Sequence, residues 1–194
     1  MSEKAEKNLR LFVAVDPRPE NIFQLGQAIA ELRPWAPKAK WVQPDKLHLT
    51  LVFLGDTEES KLPQMHEALQ KTANRHRPFE LRLSGGGIFG ARKGARVLWA
   101  GVGGDMLALC ALQKDLAESL EPLGYQPEHR AYAPHLTLAR AGDTRGDEQL
   151  AVCAEKLDGR SFGMATIREV VLYQSRISEK GASYTKLFVA ELKA

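Results

Sequence analysis

Two histidines, His48 and His135, stand in identical tetrapeptides 87 residues apart. Each tetrapeptide reads His-Leu-Thr-Leu, and each is followed, after three variable residues, by Gly-Asp-Thr. Seven identities within ten residues are poorly explained by chance. A chain that twice presents a histidine two residues before a threonine therefore predicts two equivalent half-sites that face each other.

The spacing of these residues fits acid–base chemistry at a tetrahedral anion. On a β-strand, His48 and Thr50 share one face, roughly 6.6 Å apart along the strand, while the leucines point to the other face. If His135 and Thr137 approach from the opposite side, one anion such as phosphate meets two imidazoles. An ordinary histidine has a pKa of about 6.5, so one ring can act as a neutral base and the other as a protonated acid. The threonine hydroxyls would donate to oxygens that gain charge.

A single histidine on a strand is more often a structural residue than a catalyst. The repetition in phase with threonine favours a functional site, because valine or isoleucine would pack better in a core. A metal site is disfavoured, since each strand offers one histidine, threonine is a poor ligand, and no carboxylate follows two or four residues later. We therefore expect neither a metal nor an organic cofactor.

The composition is that of an ordinary globular protein. The chain has 194 residues and a mass of 21.5 kDa, with 44% hydrophobic and 26% charged residues, which suits one domain or two small fused lobes. A net charge of +3 argues against a protein that coats a polyanion, although a local basic patch remains open.

Cys110 and Cys153 lack a Cys-x-x-Cys spacing, so they are predicted to be buried, reduced core residues. The polar N-terminal stretch, residues 1–10, lacks the apolar run of a signal peptide, and no apolar stretch is long enough to cross a membrane. We expect a cytoplasmic protein.

Apolar periodicity and turn residues predict strand, helix, histidine strand, helix and strand, in that order and twice over. The predicted strands are 11–15, 47–54, 79–83, 96–102, 135–140, 167–174 and 184–192, and the predicted helices are about 22–32, 58–75, 105–123 and 147–157. Asp105 is expected to cap the third helix and Gly124 to end it.

This order predicts an α+β fold of two lobes related by an approximate twofold axis, each a mainly antiparallel sheet flanked by helices, around a central cleft. The lobes would be a duplication covering about residues 10–84 and 95–175, with 176–194 as a closing strand, in one bilobal domain over 1–194. The glycine-rich run 85–90 fits a G-x-G-x-x-G pattern, but it leads into a strand rather than a helix. It is predicted to connect the two lobes.

The chain resembles the 2H phosphoesterase superfamily, and closely the bacterial and archaeal RNA 2',3'-cyclic phosphodiesterases once called 2',5'-RNA ligases. The resemblance extends over nearly the whole chain. It rests on the paired tetrapeptides and on the segments RLFVAVD at 10–16, LHLTLVFLG at 47–55, RVLW at 96–99, PHLTLAR at 134–140 and LYQS at 172–175.

The resemblance implies hydrolysis of an RNA-terminal 2',3'-cyclic phosphate to a 2'-phosphomonoester. It also implies that His48 is the proton donor and His135 the proton acceptor, roles that the symmetry of the sequence does not assign. The expected partners are RNA ends or small nucleotides with a 2',3'-cyclic phosphate. We expect no membrane association, and a monomer, because a bilobal chain completes its own site.

Four further residues are candidates for binding the substrate. Arg140 lies five residues past His135, on the opposite parity of the strand, where its guanidinium could pair with a phosphate. Arg130 occupies a position where the resembled enzymes often carry a basic residue. Phe53 and Tyr132 flank the two motifs and could stack a terminal base.

Two other functions use the same pocket. One is a 2',5'-RNA ligase that joins tRNA halves, which is the reverse type of transfer at the same phosphorus. The other is a nucleotide- or RNA-end-binding module without catalysis, against which the two intact motifs argue.

Overall fold

The computed structural model of the chain describes residues 8–126, 130–178 and 181–193. These ranges contain strands β1 (Asn8–Val15), β2 (Lys40–Trp41), β3 (Leu49–Glu58), β4 (Phe79–Phe89), β5 (Val97–Gly104), β6 (His135–Arg140), β7 (Ser161–Ile167), β8 (Glu169–Ser178) and β9 (Gly181–Glu191), and helices α1 (Pro19–Leu32), α2 (Leu62–Ala73), α3 (Met106–Leu120) and α4 (Gln149–Glu155). Most of the N-terminal stretch used to predict the absence of a signal peptide lies outside the described residues.

The helices form where apolar residues recur at helical spacing. In α3, the Asp105 carboxylate accepts a hydrogen bond from the Ala108 backbone N–H at 3.0 Å, which confirms the predicted cap. The four leucines of its apolar stripe, at positions 109, 112, 116 and 120, are fully buried. Gly124 follows with a φ of +101°, a left-handed conformation that glycine adopts without strain. None of the helices in the described ranges is long and apolar enough to span a bilayer.

The strands form one continuous sheet in the order β7-β4-β5-β6-β3-β1-β8-β9, and β2 also pairs with β6. All of these pairings are antiparallel. The α+β class and the antiparallel pairing are confirmed. The expectation of a separate sheet in each lobe is corrected, because β3 and β6 pair directly. This pairing joins two arms of one sheet, β3-β1-β8-β9 and β6-β5-β4-β7.

Each arm of the sheet takes strands from both halves of the chain. β4, from the first half, pairs with β5 and β7, while β8, from the second half, pairs with β1 and β9. The helices follow the same exchange: α1 packs on β7 and α4 on β4 and β5, whereas α2 and α3 pack on each other, with α2 also on β9 and α3 on β3.

The two faces of the sheet have different environments. On β1, Leu11 and Val13 belong to the main core beneath the helices, whereas Phe12 and Ala14 belong to a small cluster with Val171 and Tyr173. This alternation follows from the two-residue period of a strand. We call the face that carries Phe12 the site face, because His48 packs there against the Phe12 ring.

Several predicted elements differ from the structure. The glycine run 85–90 belongs largely to β4, which continues to Phe89, and is therefore a sheet strand. Residues 58–75 begin with the end of β3 and a short 3₁₀ turn before α2. The strand β7 was not predicted at all. Cys153 is buried as expected, but Cys110 is exposed, because it lies on α3 outside the buried leucine stripe.

Candidate active site

The two motifs lie side by side on neighbouring antiparallel strands. Leu49 of β3 faces Leu136 of β6, and both leucines are buried in the main core. Because residues of an antiparallel pair count in opposite directions, the next positions in this register set Thr50 opposite His135 and His48 opposite Thr137. His48 itself directly precedes β3, which begins one residue later, whereas the predicted strand began at residue 47.

A β-bulge in β6 determines where Arg140 points. Leu98 of β5 pairs with Ala139 and Trp99 pairs with Thr137, so Leu138 is the extra residue, and Leu138 and Ala139 are both fully buried. The extra residue shifts the alternation by one and turns Arg140 to the face of Thr137. The prediction that Arg140 has the opposite parity is therefore wrong, because it assumed a regular strand.

A second β-bulge of the same kind occurs in β3. Val13 of β1 pairs with Val52 and Ala14 pairs with Thr50, so Leu51 is the extra residue, and Leu51 and Val52 are both buried. Phe53, five residues after His48, is consequently turned to the site face. It is 41% exposed, and the Arg10 guanidinium lies 4.8 Å from the centre of its ring.

A pocket of about 290 Å³, here called the central pocket, brings both motifs together. Six of the predicted residues line it, together with three that the sequence did not indicate: His48, Thr50, Phe53, His135, Thr137 and Arg140, with Val42, Lys46 and Tyr184. Tyr184 was not predicted because it comes from β9, and only the pairing of β9 with β8 brings it to the motifs.

Both imidazoles are anchored in the same way. His48 Nδ1 lies 2.9 Å from the Lys46 carbonyl oxygen, and His135 Nδ1 lies 2.7 Å from the Ala133 carbonyl oxygen. A carbonyl oxygen only accepts, so each Nδ1 must carry the proton and donate it. In a neutral ring this leaves the Nε2 lone pair free to accept a proton, and in a charged ring it leaves an Nε2–H free to donate.

Burial lowers the pKa of His48 below its ordinary value, because it penalises the charged ring. The Lys46 carbonyl and the Asp16 carboxylate act in the opposite direction and raise it, while Arg140 and His135 lower it further.

Burial likewise lowers the pKa of His135; the Ala133 carbonyl raises it and Arg140 lowers it. The two environments thus differ in their charges: a carboxylate favours the proton on His48, whereas none is found to do so for His135 among the described residues.

Aromatic rings hold His48 in place. The Phe12 ring centre lies 4.8 Å and the Tyr184 ring centre 5.1 Å from that of His48, the latter edge-on. Tyr173 stacks on Phe12 and donates its hydroxyl to Asp16 at 2.7–2.8 Å. His135 has an edge-on neighbour as well, Phe89, at 4.7 Å.

A second cavity of about 780 Å³ adjoins His135, and we call it the aromatic cavity. The structure places Arg130 there rather than in the central pocket, together with Phe53, Phe89 and Tyr132. The Tyr132 hydroxyl donates to the Thr50 carbonyl at 3.0 Å and so fixes the first motif strand. Within the described ranges, no three histidine, cysteine or carboxylate side chains form a cluster that could hold a metal ion.

Comparisons with known proteins agree on one family. A model of the 2'-5' RNA ligase superfamily matches residues 21–176. An RNA 2',3'-cyclic phosphodiesterase from Methanothermobacter thermautotrophicus is 32% identical over 184 residues, which cover 95% of this chain and 99% of that protein.

Solved structures agree with this relationship. A protein from Thermus thermophilus has a TM-score of 0.81 at 30% identity, over 96% of this chain and 99% of that one. E. coli LigT complexed with 3'-AMP has a TM-score of 0.76 at 27% identity, over 97% and 100% of the two chains. The chain therefore belongs to the 2'-5' RNA ligase superfamily, a family of 2H phosphoesterases.

Proposed function

We propose that this chain hydrolyses RNA-terminal 2',3'-cyclic phosphates to 2'-phosphomonoesters, with two histidines as its acid and base and without a metal ion or organic cofactor. The observation that carries the proposal is the central pocket, which is lined by two imidazoles, two threonines and an arginine. Each imidazole uses its Nδ1–H in a hydrogen bond to a backbone carbonyl. The activity for which the Methanothermobacter relative is named supports the same substrate class.

The proposed reaction uses the free Nε2 atom of each ring. His135 takes a proton from a water molecule as the water oxygen attacks phosphorus. The bond between phosphorus and O3' breaks, its electron pair stays on O3', and His48 gives that oxygen a proton. Each such proton transfer typically contributes about 10²–10⁴ in rate.

The assignment of acid and base is supported by the charges around the rings. The Asp16 carboxylate favours the protonated form of His48, as a general acid requires. The charged group that acts on His135 is Arg140, which lowers the pKa of that ring and so favours the neutral form that a general base requires.

The other pocket residues have roles that follow from their chemistry. Thr50 and Thr137 donate hydrogen bonds from their hydroxyls to the non-bridging phosphate oxygens, and Arg140 neutralises the charge on those oxygens. The terminal base enters the aromatic cavity, where Phe53 and Tyr132 offer ring surfaces for stacking, and Arg130 meets the substrate at the edge of that cavity. Because one chain supplies both histidines, we also propose that it acts as a monomer, and we propose that it acts in the cytoplasm.

An oligoribonucleotide with a 2',3'-cyclic phosphate end tests the proposal. We expect conversion to the 2'-phosphate, identified by chromatography, at a rate that a chelator does not change. Formation of the 3'-phosphate, or loss of activity with chelator, would contradict it. If an added RNA with a 5'-hydroxyl yields mainly longer products, the chain is a ligase. Tight binding of the end without any product would identify a binding module.

A further inference from the structure

A third cavity, of about 740 Å³, adjoins the central pocket on the side of His48. The two spaces share the lining residues Lys46, His48 and Tyr184, so they are next to each other. We call this space the polar cavity, because charged and hydroxyl side chains form much of its wall. The aromatic cavity lies on the other side of the central pocket, next to His135.

Some charged groups of the polar cavity already form ion pairs, and others do not. Its cations are Arg18, Lys46, Arg168 and Lys186, and its carboxylates are Asp16, Asp45 and Glu169. The Asp16 carboxylate forms an ion pair with Lys186 at 2.8 Å and accepts a hydrogen bond from the Tyr173 hydroxyl. Arg18 lies 3.8 Å from Glu20 in an exposed pair, which is worth little.

Lys46 and Arg168 form no ion pair with any residue that the structure describes. Arg168 is exposed and lies in the turn between β7 and β8, and Lys46 lies beside the central pocket. These two cations are therefore available to a ligand that carries negative charge.

The shape of a terminal nucleotide assigns the two flanking cavities. Its ribose carries the cyclic phosphate on C2' and C3', the base on C1' and the upstream phosphodiester on C5', so the base and the upstream chain diverge from the ribose. With the cyclic phosphate in the central pocket, the ring-lined aromatic cavity suits the base. The upstream chain then has the polar cavity, where a phosphodiester meets the unpaired cations.

We propose that the polar cavity binds the phosphodiester that precedes the terminal nucleotide, so that the enzyme favours RNA ends over cyclic mononucleotides. The proposal rests on the proposed function. Arg168 is its specificity-determining residue, because it lies in the polar cavity and outside the central pocket.

Two substrates that differ only in the upstream nucleotide test this proposal: adenosine 2',3'-cyclic phosphate and the diadenosine dinucleotide with the same cyclic end. We expect wild type to prefer the dinucleotide. Arg168→Gln should lower kcat/KM for the dinucleotide about fivefold, the upper range for an exposed ion pair, and leave the mononucleotide unchanged. Arg77→Gln is the matched control: Arg77 is also an exposed arginine, lies outside all three cavities and should change neither value.

A dinucleotide with an uncharged methylphosphonate linkage isolates the charge. Wild type should lose its preference for this substrate, and Arg168→Gln should lose nothing more, as in a double-mutant cycle. The proposal is overturned if Arg168→Gln slows both substrates alike or neither, or if the uncharged linkage is processed as well as the natural one.

If wild type turns over neither substrate, the proposed function fails. The inference is then decided by calorimetric binding of the 2'-phosphate forms of the mononucleotide and the dinucleotide. The same loss on Arg168→Gln, confined to the dinucleotide, is required; equal affinities in wild type and variant would overturn it.

Discussion

At the scale of single residues, the two histidines share an anchoring contact and differ in the charges around them. Each donates Nδ1–H to the carbonyl two residues before it, a contact that could not be foreseen from residue types. The pairing of histidine with threonine was predictable, since it is written twice in the chain. The influence of Asp16 on His48 was not, because Asp16 is 32 residues away in sequence.

Replacing Asp16 by asparagine should move the proton-donor pKa. The carboxylate raises the pKa of His48, so its loss lowers that pKa, and the protonated acid disappears at a lower pH. We therefore expect Asp16→Asn to shift the alkaline limb of the kcat/KM profile to lower pH. Lys186→Gln is the control, because it disturbs the same network and keeps the carboxylate. A shift to lower pH in both variants would mean that the network acts only on packing.

Replacing Arg140 by glutamine should have the opposite effect on pH dependence. Arg140 lowers the pKa of both histidines, so both limbs should move to higher pH in Arg140→Gln. Loss of a charge-assisted hydrogen bond to phosphate should also reduce kcat/KM at the optimum by about 10–100-fold. Arg130→Gln provides the comparison: Arg130 is not among the groups that shift the pKa of either histidine, so neither limb should move. Unmoved limbs in Arg140→Gln would contradict this electrostatic role.

At the scale of elements, the site depends on features that hydrophobic pattern alone does not reveal. The apolar stripe and the Asp105 cap of α3 were predictable, because both are local. The bulges at Leu51 and Leu138 were not, because a bulge is defined by the partner strand. The glycine run in β4 was taken for a connector for the same reason: Gly86 and Gly87 are explained by Trp99 on the neighbouring β5, whose carbonyl oxygen and indole lie where their side chains would be.

The role of these glycines predicts a difference between two alanine variants. A Cβ at Gly86 would lie 2.5 Å from the Leu157 Cδ1 methyl and 2.7 Å from the Trp99 carbonyl oxygen, and the second contact is with backbone and cannot be relieved cheaply. We expect Gly86→Ala to lower the free energy of unfolding by about 1–3 kcal/mol in urea titrations. Gly103→Ala, in β5, should be nearly neutral, since its nearest neighbour would be 3.6 Å away. Equal stabilities of the two variants would refute the packing explanation.

At the scale of the whole molecule, the strands on the two sides of the β3–β6 junction occupy corresponding positions. β3 and β6 carry the motifs, β1 and β5 lie next to them, and β8 and β4 follow. We propose that this arrangement comes from the duplication indicated by the repeated motifs, with β4 and β8 exchanged between the arms. The exchange was not predictable, because sequence order favours pairing within each half.

A site completed by one chain predicts that activity does not depend on association. Specific activity should stay constant as the protein is diluted from micromolar to low nanomolar concentration, and size-exclusion chromatography with light scattering should give the mass of one chain. A fall in specific activity on dilution, recovered on concentration, would show that a second copy completes the site.

The dependence of kcat/KM on pH, measured for wild type, His48→Ala and His135→Ala on an RNA with a 2',3'-cyclic end, tests the two-histidine claim most directly. Burial lowers the pKa of both rings, so the wild-type profile should be a bell with its maximum on the acid side of neutrality. His48→Ala should lose the alkaline limb and His135→Ala the acid limb, each with a fall of about 10²–10⁴ in rate. Wild-type rates, or an intact bell, in either variant would contradict the account.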